Sequence, residues 1–278
     1  MRFVEVPEVA SRVNGLRAGD FDFACDMPPD QIATIEADPR LHVVGGPIMN
    51  IRLTIFDKHH PTLKDPRVRR AMTHAVDRQA IVDALWAGRT KVPKGLQWDF
   101  FGPMLLGDWA PPAYDLAEAK KLLKEAGYDG APIPYQMLNN YYTNQVQTAQ
   151  IMAEQWKAIG LNVAIEMKEN WSQILGRFPE RGICENSNSS WFNDPVASLS
   201  AYVPGGQTWE AGQWGEPGGR QAGRRTAGQH RPRAPSRRLP PHPDDPRARG
   251  PLLQRHPPER DLHRQAARLQ VEAGTVVS

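Results

Sequence analysis

The feature that most constrains the fold is an abrupt change in composition near residue 215. Residues 216–278 contain 13 Arg and 10 Pro, but no Lys, Asn, Ile, Met, Cys or aromatic residue. Such a stretch buries too little apolar surface to offset the conformational entropy that is lost on folding. We therefore assign residues 206–278 to an Arg/Pro-rich tail that is either disordered or the product of a shifted reading frame.

The second alternative makes a prediction about the gene. Arg, Pro, Gly and Ala have GC-rich codons, so a frame shift in a GC-rich gene raises all four while removing Lys, Asn, Ile and aromatic residues. One of the other two reading frames beyond codon 215 is then expected to restore a globular pattern. A nucleotide sequence in which neither frame does so contradicts this interpretation.

The charge of the chain is divided unevenly between its two parts. The whole chain has a net charge of +3, but residues 216–278 hold 13 basic and 6 acidic residues. The part before them is mildly acidic. The basic tail allows one alternative function, the binding of nucleic acid or another polyanion. It has no aromatic residue on which a base could stack, so we expect no specific nucleic acid.

Cysteine usage and hydropathy give few further constraints. Cys25 and Cys184 could pair only if the fold brings them together, and their spacing favours two unpaired thiols. No apolar run approaches the ~18 residues of a membrane span. The residues after Met1 alternate like a strand, so we expect no signal peptide in the chain as written.

The first sixty residues alternate between strand and helix patterns. Helices are predicted over residues 7–17 and from Pro28 onwards, where apolar residues recur with helical spacing. Period-two alternation predicts strands over residues 2–6, 20–24, 41–44 and 51–56. This order is typical of an α/β layer structure.

Helix starts are clearest in the next hundred residues. Asp65 and Asp77 are good N-caps, and Pro66 suits the first helical position. Asp115 and Glu118 have the spacing of a capping box. Beyond them the pattern predicts strands over 133–138 and 161–167 and helices over 143–159 and 171–178.

Four stretches of the chain resemble the family 5 solute-binding proteins, the oligopeptide, dipeptide and nickel binders of ABC importers. Each stretch alone is a weak pattern, but four in the right order make a specific match. The stretches are GLRAGDFDFA at 15–24, DPRVRRAMTHAVDRQAIV at 65–82, YDLAEAKKLLKEAGY at 114–128 and WKAIGLNV at 156–163. The resemblance covers residues 1–214.

The resemblance implies an incomplete two-lobed α/β fold of the class II periplasmic-binding-protein type. Residues 1–58 would be a partial segment of lobe I, and residues 59–205 would form lobe II. The implied function is capture of a peptide or other small organic solute in a cleft between the lobes, for transport through ABC permease subunits. The resemblance further implies a monomer in the periplasm or at the cell surface. We expect this chain to be a fragment that binds no solute with useful affinity.

The resemblance also gives candidate solute-binding residues. Trp191, Asn193 and Asp194 lie where oligopeptide binders have a segment that holds the peptide's amino terminus, but Trp191 stands in place of the binding Asp. Trp191 could stack on a flat solute or be a core aromatic, and Asp194 could also cap a helix. Trp171 lies near a family aromatic that lines the pocket, with packing of a short helix as the alternative.

Position in the predicted sheet adds the remaining candidates. Asn139, Asn140 and Tyr141 follow a predicted strand, where ligands sit in open α/β sheets, although Asn is also a turn former. Arg52 lies on a predicted strand and could pair with an acidic solute or be a solvated surface residue.

Catalytic and metal-binding patterns are weak. His59 and His60 are adjacent and have no third ligand at metal-site spacing, so we expect a loop pair and no metal or cofactor. No nucleophile and base are paired, and the chain has neither a G-x-S-x-G elbow nor a phosphate-binding glycine loop. We therefore expect no enzymatic activity, with a hydrolase as a remote alternative.

Overall fold

A computed structural model gives the architecture of most of the chain ahead of the Arg/Pro-rich tail. It describes residues 2–45, 48, 50–95, 97, 99–105, 107–108, 110–139, 141–175 and 181–189. The described α-helices are α1 Val9–Ala18, α2 Pro29–Glu36, α3 Pro66–His74, α4 Arg78–Trp86, α5 Leu116–Ala126, α6 Gln145–Ala158 and α7 Ser172–Leu175, and a 3₁₀ helix covers Asp99–Met104. The described strands are β1 Asn50–Phe56, β2 Ile133–Leu138, β3 Val163–Lys168 and β4 Ile183–Ser189.

The four strands form one mixed sheet in the order β1-β4-β2-β3. β2 runs parallel to both β3 and β4, and α6 connects β2 to β3. β1 is antiparallel to β4, with seven residue pairs from Asn50 opposite Ser189 to Phe56 opposite Ile183. The sheet therefore joins one strand from the start of the chain to three from its middle.

The main hydrophobic core lies between one face of the sheet and the helices α3, α5 and α6. Its centre is Trp156 of α6, which is fully buried. The Trp156 ring lies 6.2 Å from the ring of Phe56 and 5.8 Å from the ring of Tyr135, and its Nε1 donates to the carbonyl of Met72 at 2.9 Å. A large aromatic with its only polar group satisfied is well suited to this position.

Aspartate caps begin three of the helices around this core. The Asp65 carboxylate accepts from the amide of Arg67, and Asp77 accepts from the amide of Ala80. Asp115 accepts from the amide of Glu118, whose own carboxylate contacts Lys121 at 3.1 Å. The caps at Asp65, Asp77 and Asp115 are thus confirmed. The Glu118 side chain contacts a lysine of its own helix, α5.

The start of β4 is fixed by a buried ion pair. Arg181 Nε lies 3.2 Å from Asp57 Oδ2, and both side chains are about 1 % exposed. The amide of Asp57 donates to the carbonyl of Gly182 at 2.8 Å. Gly182 has φ of 60°, and a side chain there would collide with the carbonyl of Pro134. These contacts hold the end of β1 against the start of β4.

Residues 2–45 differ from the sequence prediction. The predicted helices are confirmed as α1 and α2, but the strands expected at 2–6, 20–24 and 41–44 are wrong, because these stretches carry no strand pairing in the described structure. A strand exists only where a neighbouring strand takes its backbone hydrogen bonds, and no described residue does so here. Several apolar side chains in and near these stretches are exposed, namely Phe3, Val4, Phe23, Val43, Val44 and Ile48.

The pairing of β1 also bears on the expected lobe boundary. β1 falls within residues 1–58, yet it belongs to the same sheet as β2, β3 and β4. The division of the chain at residue 58 stays a prediction, and this pairing favours a boundary before Asn50. The expected tail, residues 206–278, lies outside the described residues.

Two remaining features concern the thiols and hydropathy. Neither cysteine is in a disulfide: Cys25 is exposed and Cys184 is buried. Burial raises the pKa of the Cys184 thiol to about 11, so this thiol stays protonated at neutral pH. Among the described helices, none combines the length and the apolar character that a membrane crossing requires.

Candidate solute-binding corner

The turn between β2 and α6 lies at the carboxyl end of a parallel strand, where open α/β sheets bind ligands. We call Asn139 and residues 141–145, together with Trp171, the solute corner. Asn139 follows the last residue of β2 and is exposed. Asn140 lies outside the described residues, as do Trp191, Asn193 and Asp194. The structure thus brings together Tyr141 and Trp171 of the predicted site residues, with Asn139 at the start of the same turn.

Aromatic side chains dominate the solute corner. Tyr141 is 56 % exposed, and its ring lies edge-on to two other rings. Its centroid is 4.7 Å from that of Tyr142 and 5.1 Å from that of Trp171, and the interplanar angle is 88° in both contacts. Edge-to-face contacts of this kind favour a fixed ring orientation. Tyr141 therefore presents an aromatic surface to solvent while two neighbouring rings support it.

Gln145 holds the backbone of the turn. It is the first residue of α6 and is fully buried, and its Oε1 accepts from the amides of Tyr141 at 2.8 Å and Tyr142 at 3.2 Å. Among the described residues, no hydrogen-bond partner is found for its Nε2. Asn144, just before it, has φ of 56° and donates its side-chain amide to the carbonyl of Leu85 at 2.8 Å. A glutamine inside a helix pattern gives no sequence signal for this role, so Gln145 was missed.

Arg52 lies beneath the turn and is only 12 % exposed. Its Nη2 donates to Glu185 Oε2 at 3.0 Å, and its Nη1 donates to the carbonyl of Thr143 at 2.9 Å. Its guanidinium carbon lies 5.2 Å from the centroid of the Tyr142 ring. The alternative of a solvated surface arginine is wrong. Pairing of Arg52 with an acidic solute stays a prediction, and in the structure its charge is already paired with Glu185.

Glu185 connects three strands of the sheet. The hydroxyl of Tyr135 on β2 donates to its Oε1 at 2.6 Å, while Arg52 on β1 contacts its other oxygen. Burial raises the pKa of Tyr135 well above its usual value, and the neighbouring carboxylate raises it further. Tyr135 therefore remains a neutral donor. Sequence reasoning missed Glu185 because no motif marks it; strand pairing alone brings it to Arg52.

The two histidines lie at the other end of β1. His59 Nδ1 is 2.9 Å from Asp57 Oδ1, and the Nδ1 of His60 accepts from the amide of Thr62 at 3.3 Å. In the part of the chain that the structure describes, no group of three or more metal-ligating side chains comes together.

Comparison with known proteins adds relatives that resemble this chain in sequence. A di/tripeptide-binding protein of Pseudomonas aeruginosa is 29 % identical over 196 residues, which cover 66 % of this chain and 34 % of that protein. The glutathione-binding protein GsiB of Salmonella choleraesuis is 30 % identical over 158 residues, covering 56 % and 30 %. A probable deoxycholate-binding periplasmic protein of Escherichia coli, YgiS, is 30 % identical over 199 residues, covering 67 % and 36 %. The chain thus spans about a third of the length of these relatives.

Solved structures show the same fold at lower identity. The periplasmic binding protein DppA of Helicobacter pylori, in complex with the peptide STSA, matches with a TM-score of 0.69 and 16 % identity, covering 98 % of this chain and 49 % of DppA. NikA of Brucella suis, in complex with Fe(III)-EDTA, matches with a TM-score of 0.71 and 20 % identity, covering 98 % and 54 %. The fold class is therefore that of the class II periplasmic binding proteins.

A sequence model for the middle part of the proteins of one family matches most of this chain. The match covers residues 1–209. The four motifs on which the resemblance was based all fall within that range. This chain belongs to the bacterial extracellular solute-binding proteins, family 5.

Proposed function

We propose that this chain carries one wall of the solute site of an ABC-importer binding protein, and that the solute corner is part of that wall. The observation that supports the proposal most directly is the exposed ring of Tyr141, held at the carboxyl end of β2 by Tyr142 and Trp171. A supported aromatic face next to backbone turn groups suits a small organic solute with both apolar and polar parts. Nothing covalent is needed for capture.

The solute class rests on the relatives. Their names specify di/tripeptides, glutathione and deoxycholate, and two of these three are peptides. We propose a peptide or other small organic solute. The other candidate contacts are Asn139, Asn140, Trp191, Asn193 and Asp194, with Arg52 as a candidate for an acidic group. Family membership supports neither polyanion binding nor hydrolysis, and we propose no enzymatic activity.

The remaining parts of the function belong to a whole binding protein. We propose that such a protein is a monomer in the periplasm or at the cell surface and delivers its solute to ABC permease subunits. The relatives named as periplasmic binding proteins support this location. Light scattering during gel filtration tests the oligomeric state, and a dimer at micromolar concentration would contradict it.

The solute corner can be tested by solute titration of the full chain. Saturation-transfer NMR with a panel of dipeptides, tripeptides and glutathione detects weak binding, and we expect a midpoint of about 1 mM because one wall gives few contacts. Tyr141→Ala removes the exposed ring and is expected to weaken binding about fivefold, since an aromatic contact contributes about 1 kcal/mol.

Tyr114→Ala is the matched control, because Tyr114 is also an exposed tyrosine but lies outside the solute corner. Its midpoint should equal that of the parent chain. Equal weakening by both variants would contradict the assignment of the corner. No saturable signal from any member of the panel would contradict the proposed function, and a sub-micromolar midpoint would contradict the expectation that the chain is a fragment with weak affinity.

A further inference from the structure

We propose that Arg52 is a positioning residue that fixes the conformation of the solute corner by clamping its turn to β4. This inference rests on the proposed function, because it assigns a role to Arg52 toward the same site. It differs from the expectation that Arg52 itself pairs with a solute. Both terminal nitrogens of the Arg52 guanidinium donate to groups of the protein. We call Nη2, which bonds Glu185 on the sheet, the sheet arm, and Nη1, which bonds Thr143 on the turn, the turn arm.

The sheet arm is anchored by strand pairing. Arg52 lies opposite Ser187 in the β1–β4 register, and Glu185 lies opposite Thr54, so Arg52 and Glu185 are diagonal neighbours on one face. Glu185 is itself held by the hydroxyl of Tyr135 at 2.6 Å. The carboxylate therefore offers Arg52 one fixed oxygen, which sets where the guanidinium plane lies.

The turn arm reaches two parts of the solute corner at once. Nη1 donates to the carbonyl of Thr143, while the guanidinium lies 5.2 Å from the Tyr142 ring centroid. The side chain of Tyr142 also lies near that of Ser187 on β4. Its ring then contacts the exposed ring of Tyr141 at 4.7 Å. A path of direct contacts thus runs from Arg52 through Tyr142 to the proposed binding surface.

The chemistry of this clamp suits arginine and no other residue. A guanidinium is planar, donates in two directions at once and packs flat against an aromatic ring. A lysine at the same position could reach the carboxylate or the carbonyl, but its ammonium has no fork and no plane. A methionine keeps much of the side-chain volume and loses both hydrogen bonds.

Arg52 contributes to more than the stability of the whole chain. Its loss would leave the buried carboxylate of Glu185 without its cation, so we expect Arg52→Met also to lower the stability of the whole chain. A local effect adds to this, since Gln145 and Arg52 are the described side chains that bond the backbone of residues 141–143. Loss of Arg52 should therefore accelerate opening of this turn more than it accelerates opening of the rest of the chain.

Hydrogen exchange of the full chain without any solute tests the clamp separately from solute binding. The reporters are the amides of Tyr141 and Tyr142, which donate to Gln145 Oε1. In Arg52→Met we expect exchange of the peptide spanning residues 139–145 to accelerate at least about tenfold more than exchange in α5 does. Arg52→Lys should lie between the parent and Arg52→Met.

Arg67→Met is the matched control. Arg67 also joins a carboxylate, Asp65 Oδ2 at 2.6 Å, to a backbone carbonyl, Glu125 at 2.6 Å, but these partners lie at α3 and α5 and not at the turn. This variant should leave exchange in residues 139–145 at the parent rate. Near-ultraviolet circular dichroism adds a signature of ring geometry: the Trp171 contribution, defined by subtracting Trp171→Phe, should shrink in Arg52→Met and persist in Arg67→Met.

The proposal is overturned, whether or not a solute binds, if exchange in residues 139–145 of a folded Arg52→Met is parent-like or accelerates no more than exchange in α5. If Arg52→Met does not fold, Arg52→Lys decides, and a parent-like rate in that variant overturns it. A failed solute titration combined with selective release of the turn would leave Arg52 as the clamp and remove only the proposed function of the corner.

Discussion

The region before Asn50 and the sheet region at residues 50–189 use the same period-two alternation, but among the described residues only the second region forms strands. DFDFA at 20–24 alternates as regularly as β1, yet β1 has seven partners on β4 and residues 20–24 have none among the described residues. Phe23 is 70 % exposed, whereas Phe56 of β1 is 2 % exposed. Alternation therefore makes a stretch competent to pair, and the presence of a partner strand decides the outcome.

The sharpest test of this contrast compares one core residue with one exposed aromatic. Trp156→Ala leaves a large cavity beneath the sheet and is expected to lower the free energy of unfolding by about 4 kcal/mol. Phe23→Ala should change it by less than about 0.5 kcal/mol, since Phe23 is exposed. Urea denaturation of the full chain measures both values. A loss above about 2 kcal/mol in Phe23→Ala would show that residues 20–24 are packed and break the comparison.

We expect the same difference between a buried and an exposed site for the ion pairs. Arg181→Met leaves the buried carboxylate of Asp57 without its cation, and we expect a loss of about 3 kcal/mol. Arg89→Met removes a pair with Glu36 in which both side chains are 44 % exposed, and this should cost less than about 1 kcal/mol. Thermal and urea unfolding report both changes. Equal losses would mean that the contact between α2 and Arg89 is as desolvated as the pair at β4.

Helix caps provide a smaller contrast. Asp115→Ala removes the side-chain acceptor at the start of α5 and should cost about 1 kcal/mol. Glu8 stands at the same position before α1, but its side chain makes no capping bond. Glu8→Ala should therefore fall within about 0.5 kcal/mol of the parent in urea denaturation. A cost for Glu8→Ala as large as that for Asp115→Ala would contradict the difference between the two regions.

The smallest effect concerns pH. Burial lowers the pKa of His60 below its usual 6.5, although Asp57 partly opposes the shift. As pH falls below about 6.5, the unfolded chain takes up a proton at this residue before the folded chain does, so stability decreases with falling pH. His60→Asn keeps a side-chain acceptor for the amide of Thr62 and should reduce the drop in melting temperature between pH 7 and pH 5.

His42→Asn is the control for the pH experiment, because His42 is an exposed histidine in the region before Asn50. Its melting temperature should follow pH as the parent does. If the His60 variant shows the same pH dependence as the parent, other groups cause the acid destabilisation.

Local chemistry explains which elements could be predicted from the sequence. An aspartate before a helix acts on amides two or three residues away, so Asp65, Asp77 and Asp115 marked their helices correctly. Strand pairing depends on residues far along the chain. For that reason the strands expected before residue 45 were wrong, while the prediction for β2 was confirmed.

The same reasoning applies to the candidate site. Tyr141 and Trp171 were predicted from strand position and family resemblance, and the structure brings their rings into contact. Glu185 and Gln145 were missed, since the first meets Arg52 across 133 residues of chain and the second acts from inside a helix. Spacing along the sequence carries no signal for either contact.

The antiparallel pairing of β1 with β4 has a consequence for synthesis of the protein. β1 emerges from the ribosome early, but the strand that completes it follows about 130 residues later. During that interval β2, α6 and β3 can assemble through nearby contacts, whereas β1 must wait with an unpaired edge. Closing so long a loop is slow compared with forming a helix, and the last step of folding should be insertion of β4 between β1 and β2. A ribosome that pauses before residue 183 would thus hold a nascent chain in which β1 is open to other partners.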